Sequence, residues 1–553
     1  MKSVIIYIKR FFVSVASIIF VSTSHTFAQT DTSKTNLQLN QVEVVKTFEV
    51  ILQDARKTNI RAVLPKQNSF APTYTYDITI LPIELKYPDP QIKPLAMDSD
   101  PPFKVNNGYI TAGYGMRKNP EFSAGYHTAK KDTYDAGFHL GYQALDNNKK
   151  VPFQQYRDLT IDLYGHYMLK ENMQLYGNVE TSFKKRYLFH TDIGVDTLFT
   201  QDKSGRSINR YGVKAGIKNA EPTRFNFNYD FNLTIDNVSL INTIVSENGI
   251  NFAFSGEKLF KKNTYLGVTS FYDYTTLNGP KNLNLSVAGL QPVLKTKYKN
   301  LIFQGGVDLL YSSDGNSSVF PEIYISYGVA GPALQIFASV EQDYFTNHFR
   351  NVTLRNPFLA NNPDSLVNTV FQKYFAGLKG QYSFVTYQIS AGFKDAKQMM
   401  FLLNQKTDVR YFNMVYGDAD IVFVSGNLDF ALTQNISFGG WLTQNVFKVK
   451  GITNPWHTPN IEGYAFGKAK LLANKLDLNA GLYFGSKVIF QNKENVVQKS
   501  NALYDFNLSA TYHFTPKFSL YMQGINLLDN KFERWYGYPS VGINGVVGVS
   551  VVF

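Results

Sequence analysis

The side chains that most often carry out chemistry in enzymes are either absent from this chain or spaced without a recognisable pattern. The 553 residues include no cysteine, which excludes disulfides, thiolate metal sites and a cysteine nucleophile. Eight histidines are present, but none lies in an HExxH motif or in a close pair with the spacing of metal ligands. No GxSxG motif marks a serine nucleophile. We therefore expect neither an enzyme nor a bound metal or cofactor.

The charged residues favour contact with anionic surfaces or solutes over contact with nucleic acid. Lysine and arginine outnumber aspartate and glutamate by 55 to 43, which gives a net charge of +12. The longest basic block is only Lys184-Lys185-Arg186, so no patch typical of nucleic-acid binding is predicted. Attraction to acidic lipopolysaccharide or to anionic solutes is the expected use of this charge.

One long polar stretch is the candidate surface for contact with a ligand or partner. It covers residues 347–368 and contains Arg350, Arg355, Asn356, further asparagines and two prolines. Binding residues are concentrated on loops that a rigid scaffold holds in place. Arg350, Arg355 and Asn356 are therefore predicted to be external loop contacts.

The segments that must hold this loop alternate in polarity, which is typical of strands with one apolar and one polar face. From Arg224 to Asp236, aromatic and aliphatic residues alternate with asparagine, aspartate and threonine. The same period of two is found from Tyr504 to Phe514 and from Ile543 to Phe553. The chain has 44 phenylalanines and 36 tyrosines, but no long apolar run beyond its N-terminus. This combination favours a membrane-spanning β-barrel over a bundle of membrane helices.

The last fifty residues carry a resemblance to a known family. The segment Asn526 to Phe532, the run Trp535-Tyr536-Gly537-Tyr538-Pro539 and the final Phe553 resemble the end of TonB-dependent receptors. The resemblance implies a β-barrel in the outer membrane of a Gram-negative bacterium, of a family that imports nutrients with energy from the inner membrane. Alternate residues of the closing strand look like the signal that the barrel-insertion machinery reads: Val547, Val549, Val551 and Phe553.

The spacing of alternating segments predicts an all-β protein, a transmembrane outer-membrane β-barrel of about 22 antiparallel strands over residues 105–553. Short predicted connections, such as 261–262 and 434–435, alternate with long ones, such as 237–248 and 348–368. Because outer-membrane barrels have short periplasmic turns and long external loops, the long set is predicted to lie outside. Side chains cannot fill so wide a barrel, so we expect the N-terminal segment, inward loops or a partner protein to close it.

Residues 1–28 are predicted to be a secretory signal peptide. Lys2, Lys9 and Arg10 supply the basic start, and an apolar stretch leads to small residues suited to cleavage before Gln29. Alternation alone also fits a large soluble β-protein, whose apolar faces would point inward. The export signal and the aromatic C-terminus argue against that alternative.

Residues 29–104 are predicted to be a separate, proline-rich segment. Eight of the 21 prolines fall between Pro65 and Pro102, a density that favours an extended, polyproline-like strap. Four residues near its start resemble the energy-coupling box through which TonB-dependent receptors pair with TonB: Val42, Glu43, Val44 and Val45. Alternatively, this run adds a strand within the protein or lines its mouth. The residues that remain before the barrel are too few for the family's globular plug, so a standard plug is expected to be missing.

Three functions are compatible with these features. The first is a receptor-like barrel without a standard plug, acting in transport or as a channel or accessory component with a partner. The second is a TonB-coupled nutrient receptor, and the third is a structural or assembly barrel in an envelope complex. Expected partners are outer-membrane lipid or lipopolysaccharide, the insertion machinery, and TonB or an envelope protein. Loss of uptake on deletion of residues 39–46 would distinguish the second function from the first.

Overall fold

The computed structural model describes residues 106–130, 133–169, 172–191, 204–241 and 243–553. The predicted signal peptide, the proline-rich segment and the Val42 to Val45 run lie outside the described residues. In the described part the strands are β1 (Gly108–Gly115), β2 (Asn119–Lys130), β3 (Tyr134–Asp146), β4 (Gln155–Met168), β5 (Met173–Tyr187), β6 (Gly205–Asn219), β7 (Phe227–Leu240), β8 (Ser246–Lys261), β9 (Thr264–Asn278), β10 (Leu283–Tyr298), β11 (Leu301–Ser312), β12 (Ser318–Gly328), β13 (Gln335–Phe345), β14 (Thr369–Tyr382), β15 (Val385–Asn404), β16 (Phe412–Thr433), β17 (Ile436–Lys450), β18 (Ile461–Leu471), β19 (Leu476–Gly485), β20 (Ile489–Gln491), β21 (Val497–Lys499), β22 (Leu503–His513), β23 (Phe518–Ile525), β24 (Glu533–Trp535), β25 (Tyr538–Pro539) and β26 (Asn544–Val552).

All of these strands except two short hairpins, β20 with β21 and β24 with β25, pair in one 22-stranded sheet. Each strand pairs antiparallel with its neighbours in the chain, and β1 pairs with β26, with Tyr109 opposite Val552. The pairing of the first strand with the last closes the sheet into a barrel without free edges. The predicted all-β barrel of about 22 strands is confirmed.

The two faces of each strand differ in the way that the sequence pattern predicts. On β7, Phe231 and Ile235 are exposed on the outer face, whereas Asp230 and Asp236 belong to the set that points into the lumen. An apolar outer surface suits contact with lipid, because exposed apolar side chains in water would cost free energy. One boundary was predicted wrongly: β7 begins at Phe227 and not near Arg224. The reason is a turn, in which Asn226 has a φ of 54° and its N–H donates to the Thr223 carbonyl at 2.7 Å.

The two ends of the barrel differ in the length of their connections. At one end, called the turn end here, several strands are joined by two residues: 262–263, 299–300, 383–384 and 434–435. At the opposite end, the loop end, the longest connections are 188–204, 346–368, 486–502 and 526–543. Gly108 and Phe553 exchange backbone hydrogen bonds of 2.8 and 2.9 Å at the turn end. The longest connections all lie at the loop end, as predicted, but the predicted long connection 237–248 is wrong, because β7 and β8 continue until only residues 241–245 lie between them.

An apolar core lies inside the barrel at the loop end. The lumen-facing set of β7 is polar along most of the strand but changes to Val238 and Leu240 at the end, and both are buried. The same change gives Leu285 and Val287 on β10. These residues belong to one cluster, which also contains residues of the 346–368 connection. The wall thus becomes apolar where a loop packs against its inner surface.

Helix is rare in this fold. The connection between β13 and β14, predicted as an irregular loop, contains the short helix α1 (Phe349–Arg355). Across the described ranges, no helix is long and apolar enough to cross a membrane.

Candidate functional site: a cap inside the loop end

The 346–368 connection, called the cap here, folds inward and packs on the wall of the lumen. Phe349 and Val352 are three residues apart in α1, so they share one face of the helix. Both are almost completely buried in the core cluster. Leu354, on another face of the helix, is 46% exposed. The amphipathic pattern of α1 therefore fixes which of its faces meets the wall.

Later cap residues extend this apolar contact. Phe358, Leu359 and Leu366 belong to the same cluster. Leu359 also forms a bridge with Phe412 at the start of β16, and the backbones of Phe358 and Ala360 exchange hydrogen bonds with Phe412 at 3.0 and 2.7 Å. The cap is thus attached to two parts of the inner wall, one formed by β7 to β10 and the other by β16.

A carboxylate of the wall anchors the start of the helix. Glu247 on β8 is 1% exposed, and its two oxygens accept hydrogen bonds from the N–H groups of Phe349 at 2.5 Å and Arg350 at 3.2 Å. The first N–H groups of a helix have no partner within the helix, and a carboxylate there also interacts favourably with the helix dipole. Glu247 therefore acts from the wall as the hydrogen-bond acceptor for the N-terminus of α1, where the side chain of the N-cap residue, His348, accepts no hydrogen bond from the helix.

The Arg350 side chain joins the cap to three carboxylates of the wall. Its nitrogens lie 3.7 Å from Asp236, 3.9 Å from Glu247 and 3.5 Å from Asp273. Its Nη2 group also lies 3.0 Å from Nδ1 of His348. Removing one partner from such a buried network is costly, since the remaining charge is left without compensation.

His348 extends this network to β9. Its Nε2 atom lies 3.2 Å from both the Asp273 carboxylate and the Thr275 hydroxyl. Because the arginine can only donate, Nδ1 of His348 acts as the acceptor and the ring proton lies on Nε2. A neutral histidine in that tautomer satisfies both contacts.

A glycine on β8 leaves the space that the Arg350 guanidinium occupies. A Cβ atom built on Gly249 would collide with Nη1 of Arg350. Gly249 lies on the lumen-facing side, two residues after Glu247. The wall therefore provides both the space for the Arg350 guanidinium, at Gly249, and the negative charges that pair with it.

Other connections of the loop end pack on the cap. The ring of Tyr538 stacks on Phe358 with centroids 3.6 Å apart, and its hydroxyl donates to the Arg410 carbonyl at 2.7 Å. Tyr538 and Trp535 belong to the 526–543 connection and to the run that carries the family resemblance. The ring of Trp535 lies 5.6 Å from that of Phe412. The residues of this run thus contact the cap and the core beneath it.

A buried histidine of the 451–460 connection contacts β15 and the 526–543 connection. His457 donates from Nδ1 to the Leu402 carbonyl at 2.8 Å and accepts a hydrogen bond of 3.4 Å from the N–H of Tyr536. Burial lowers the pKa of His457 to about 4. The ring is therefore neutral at ordinary pH, which it must be to accept a hydrogen bond on Nε2.

The predicted external contacts differ in their placement. Arg350 and Asn356 are buried, with 8% and 0% exposed, and they face protein rather than open solvent. Asn356 accepts a hydrogen bond from the N–H of Phe358 at 2.9 Å. Arg355 is exposed and stays a predicted contact for a ligand. Instead of forming one exposed surface, the first two residues hold the cap in place.

The other predicted site residues lie far from the cap or outside the described residues. Four side chains are exposed along the turn-end half of the closing strand and at its end: Val547, Val549, Val551 and Phe553. Their role in barrel insertion stays a prediction, as does TonB contact by Val42, Glu43, Val44 and Val45.

Histidines of the wall pair with single carboxylates. His127 lies 2.8 Å from Asp135, and His513 lies 3.1 Å from Asp477 near the turn end. In the described part of the chain, no three histidine, aspartate or glutamate side chains are grouped closely enough to hold a metal ion.

The anchoring residues of the wall were missed by the sequence reasoning. Asp236, Glu247, Gly249 and Asp273 carry no motif, and each resembles any other lumen-facing polar or small residue. The available signal was Val238 and Leu240, two apolar residues at lumen-facing positions. Such positions indicate that the lumen is covered there.

The chain matches no family model and no curated protein sequence. Its structure resembles several solved barrels. For the FrpB iron transporter from Neisseria meningitidis (F3-3 variant) the TM-score is 0.65 at 9% identity, with 82% of each chain covered. For the ferripyoverdine receptor of the outer membrane of Pseudomonas aeruginosa the TM-score is 0.60 at 10% identity, with 82% of this chain and 72% of the receptor covered. For the ferric enterobactin receptor PfeA of Pseudomonas aeruginosa the TM-score is 0.59 at 11% identity, with 81% of this chain and 80% of the receptor covered.

Identities this low show the fold alone. The predicted resemblance to TonB-dependent receptors is confirmed for the barrel, and the similar structures are transporters and receptors. The chain therefore has a 22-stranded barrel similar in fold to the barrels of these proteins, with a structured cap inside its loop end.

Proposed function

We propose that this protein is a transport barrel of the outer membrane of a Gram-negative bacterium, not an enzyme, and that movement of the cap opens and closes its lumen. The observation that carries the proposal is the attachment of the cap. It is a separate segment that contacts the wall through an apolar face and through the buried carboxylate of Glu247. A barrel of this size has an interior too wide for side chains to fill, so an added element must control passage.

The nature of the attachment supports a movable element. The strands are joined by continuous backbone hydrogen bonds, whereas α1 is held by side-chain contacts and by two N–H groups bonded to Glu247. The rest of the cap forms only two backbone hydrogen bonds with β16, both at Phe412. Side-chain contacts can be exchanged for water or for a ligand without breaking the sheet. Loops of this kind are drawn from the less stable parts of a fold.

The complete arrangement follows from the sequence predictions. Residues 1–28 are the signal peptide, 29–104 form a periplasmic or lumenal proline-rich segment, and 105–553 form the barrel. The insertion machinery recognises the closing strand, and lipid or lipopolysaccharide surrounds the apolar outer face. The loop end then faces the outside, since long loops are external in outer-membrane barrels.

Four purified proteins in planar bilayers test the proposal. They are the full chain, a variant with residues 347–368 replaced by a short glycine-serine linker, a variant without residues 29–104, and the combination. We expect little steady current from the full chain and a clear increase when the cap is replaced. If the N-terminal segment also blocks the lumen, the increase appears only in the combination. Equal currents with and without the cap, in both backgrounds, would refute control by the cap.

A second candidate is a TonB-coupled receptor for iron complexes. It is favoured by the similar structures, which are an iron transporter and receptors for ferripyoverdine and ferric enterobactin. In this candidate, residues Val42 to Val45 pair with an edge strand of TonB. Deletion of residues 39–46 would abolish uptake of a ferric siderophore in cells and leave bilayer currents unchanged.

A further inference from the structure

A small cavity lies between the cap and the inner wall of β5 to β7. Its volume is about 130 Å³. The wall side is lined by residues of three adjacent strands, and the cap side by residues of α1 and by Pro357. The residues on which the inference rests are Lys184, Arg186 and Arg210 on the wall and Arg350, Thr353 and Leu354 on the cap.

The charged groups that line this cavity are all cationic. Lys184, Arg186, Arg210 and Arg350 contribute four positive charges, and Ser182 adds a hydroxyl on the wall side. No aspartate or glutamate lines the cavity. Four cations around so small a space repel one another unless nearby carboxylates or a bound anion compensate their charges.

Carboxylates compensate the arginines from outside the cavity lining. Arg186 donates to Asp158 from Nη2 at 2.7 Å, and Arg210 lies 3.2 Å from Asp236. Since Arg350 also lies near Asp236, that carboxylate is shared between the wall and the cap. These pairs fix the guanidinium groups of Arg186, Arg210 and Arg350 in position around the cavity.

Three donors remain open toward a further acceptor. Lys184 forms no ion pair with any residue in the described ranges, although its side chain is partly buried on the lumen side of β5. Nε of Arg210 and Nη1 of Arg350 are buried and have no hydrogen-bond partner there either. Buried donors are normally satisfied, so open ones beside a cavity indicate a ligand that supplies the acceptor.

We propose that this cavity binds a compact oxyanion, a phosphate or carboxylate group, which contacts Lys184 and Arg210 on the wall and Arg350 on the cap. The oxyanion offers the acceptor oxygens that these three open donors lack, and charge-assisted hydrogen bonds of this kind are strong. Because the ligand joins groups on two elements, its binding favours the closed cap. This last point rests on the proposed function, whereas binding itself does not.

The test is calorimetric titration of the full chain in detergent with inorganic phosphate, and separately with acetate, at constant ionic strength. The variant Lys184→Gln removes the unpaired charge, and the matched control Lys214→Gln removes a lumenal lysine of β6 that does not line the cavity. We expect saturable binding that Lys184→Gln weakens by roughly tenfold or more and that Lys214→Gln leaves unchanged. The preferred anion shows whether the site suits phosphate or carboxylate groups. A heat-modifiable band on gels confirms that each variant is folded.

If neither anion binds saturably, the proposed site is refuted. Equal weakening of binding by both substitutions would also refute it, since that result indicates only general attraction of anions to a basic lumen. Hydrogen exchange of residues 349–355 tests the link to the cap, and we expect slower exchange with the bound anion. Unchanged exchange with confirmed binding would overturn the link alone. Bilayer currents of the cap variant test the proposed function separately.

Discussion

Truncation of Phe349 to alanine is the sharpest perturbation of the cap. The side chain is completely buried, and it contributes to the core cluster formed by the cap and the wall. Its N–H bond to Glu247 uses only the backbone, so that bond is available to alanine. Phe349 belongs to none of the strands, and the barrel's hydrogen bonds therefore stay intact. The substitution should weaken cap closure without unfolding the sheet.

The expected size of the effect follows from burial. Replacing a fully buried phenylalanine by alanine in a protein core costs about 3 to 5 kcal/mol. If most of this cost applies to the contact between cap and wall, the ratio of open to closed cap rises by roughly 100-fold or more, because about 1.4 kcal/mol corresponds to a factor of ten. The lower half of the range already suffices for a clear change in opening frequency.

Single-channel recording in planar bilayers measures this change directly. We expect Phe349→Ala to open far more often than the wild type, in the background without residues 29–104 if that segment also blocks the lumen. Asn351→Ala is the matched control, since it truncates an exposed side chain of the same helix that does not line the cavity. Equal opening frequencies for the wild type and both variants would refute the idea that cap packing controls the lumen.

Three further predictions concern space, protonation and assembly. Gly249→Val places a side chain where the Arg350 guanidinium lies, so we expect faster hydrogen exchange in α1, whereas Gly267→Ala, which meets only ordinary contacts at 3.8 and 3.9 Å, should change nothing. The pKa of His457 falls from 6.5 to about 4 on folding; the stability that it contributes is full above pH 6.5 and is lost as the pH falls towards 4. The loss amounts to about 3 kcal/mol, so tryptophan fluorescence should change across this window in the wild type but not in His457→Gln. Deletion of Phe553 should lower the amount of heat-modifiable barrel recovered from outer membranes, and undiminished recovery would contradict its role as an insertion signal.

The chain's local pattern was sufficient to predict the barrel. Side chains of a strand alternate between two faces, so the alternation around Phe231 and Ile235 predicts both the strand and its outer face without knowledge of its neighbours. Consecutive strands joined by short connections pair with each other. The number of strands and the register of those pairs therefore follow from local sequence. The β7 boundary was predicted wrongly because the left-handed turn at Asn226 follows the same alternation as the strand.

The position of the cap, in contrast, depends on contacts between residues that are far apart in the chain. Glu247 and the N–H of Phe349 are separated by 102 residues, and nothing in the local sequence of either distinguishes it from other lumenal or loop residues. Arg350 looked like an external contact because loops with charged residues are usually exposed. Its burial required three carboxylates on the adjacent strands β7, β8 and β9, which are far from it in the chain and meet it only when the cap folds against them. The sequence by itself therefore determined the wall, because strands are specified by local alternation. The tertiary structure decided what lies inside the wall, because burial of a charge depends on partners that are distant in the chain.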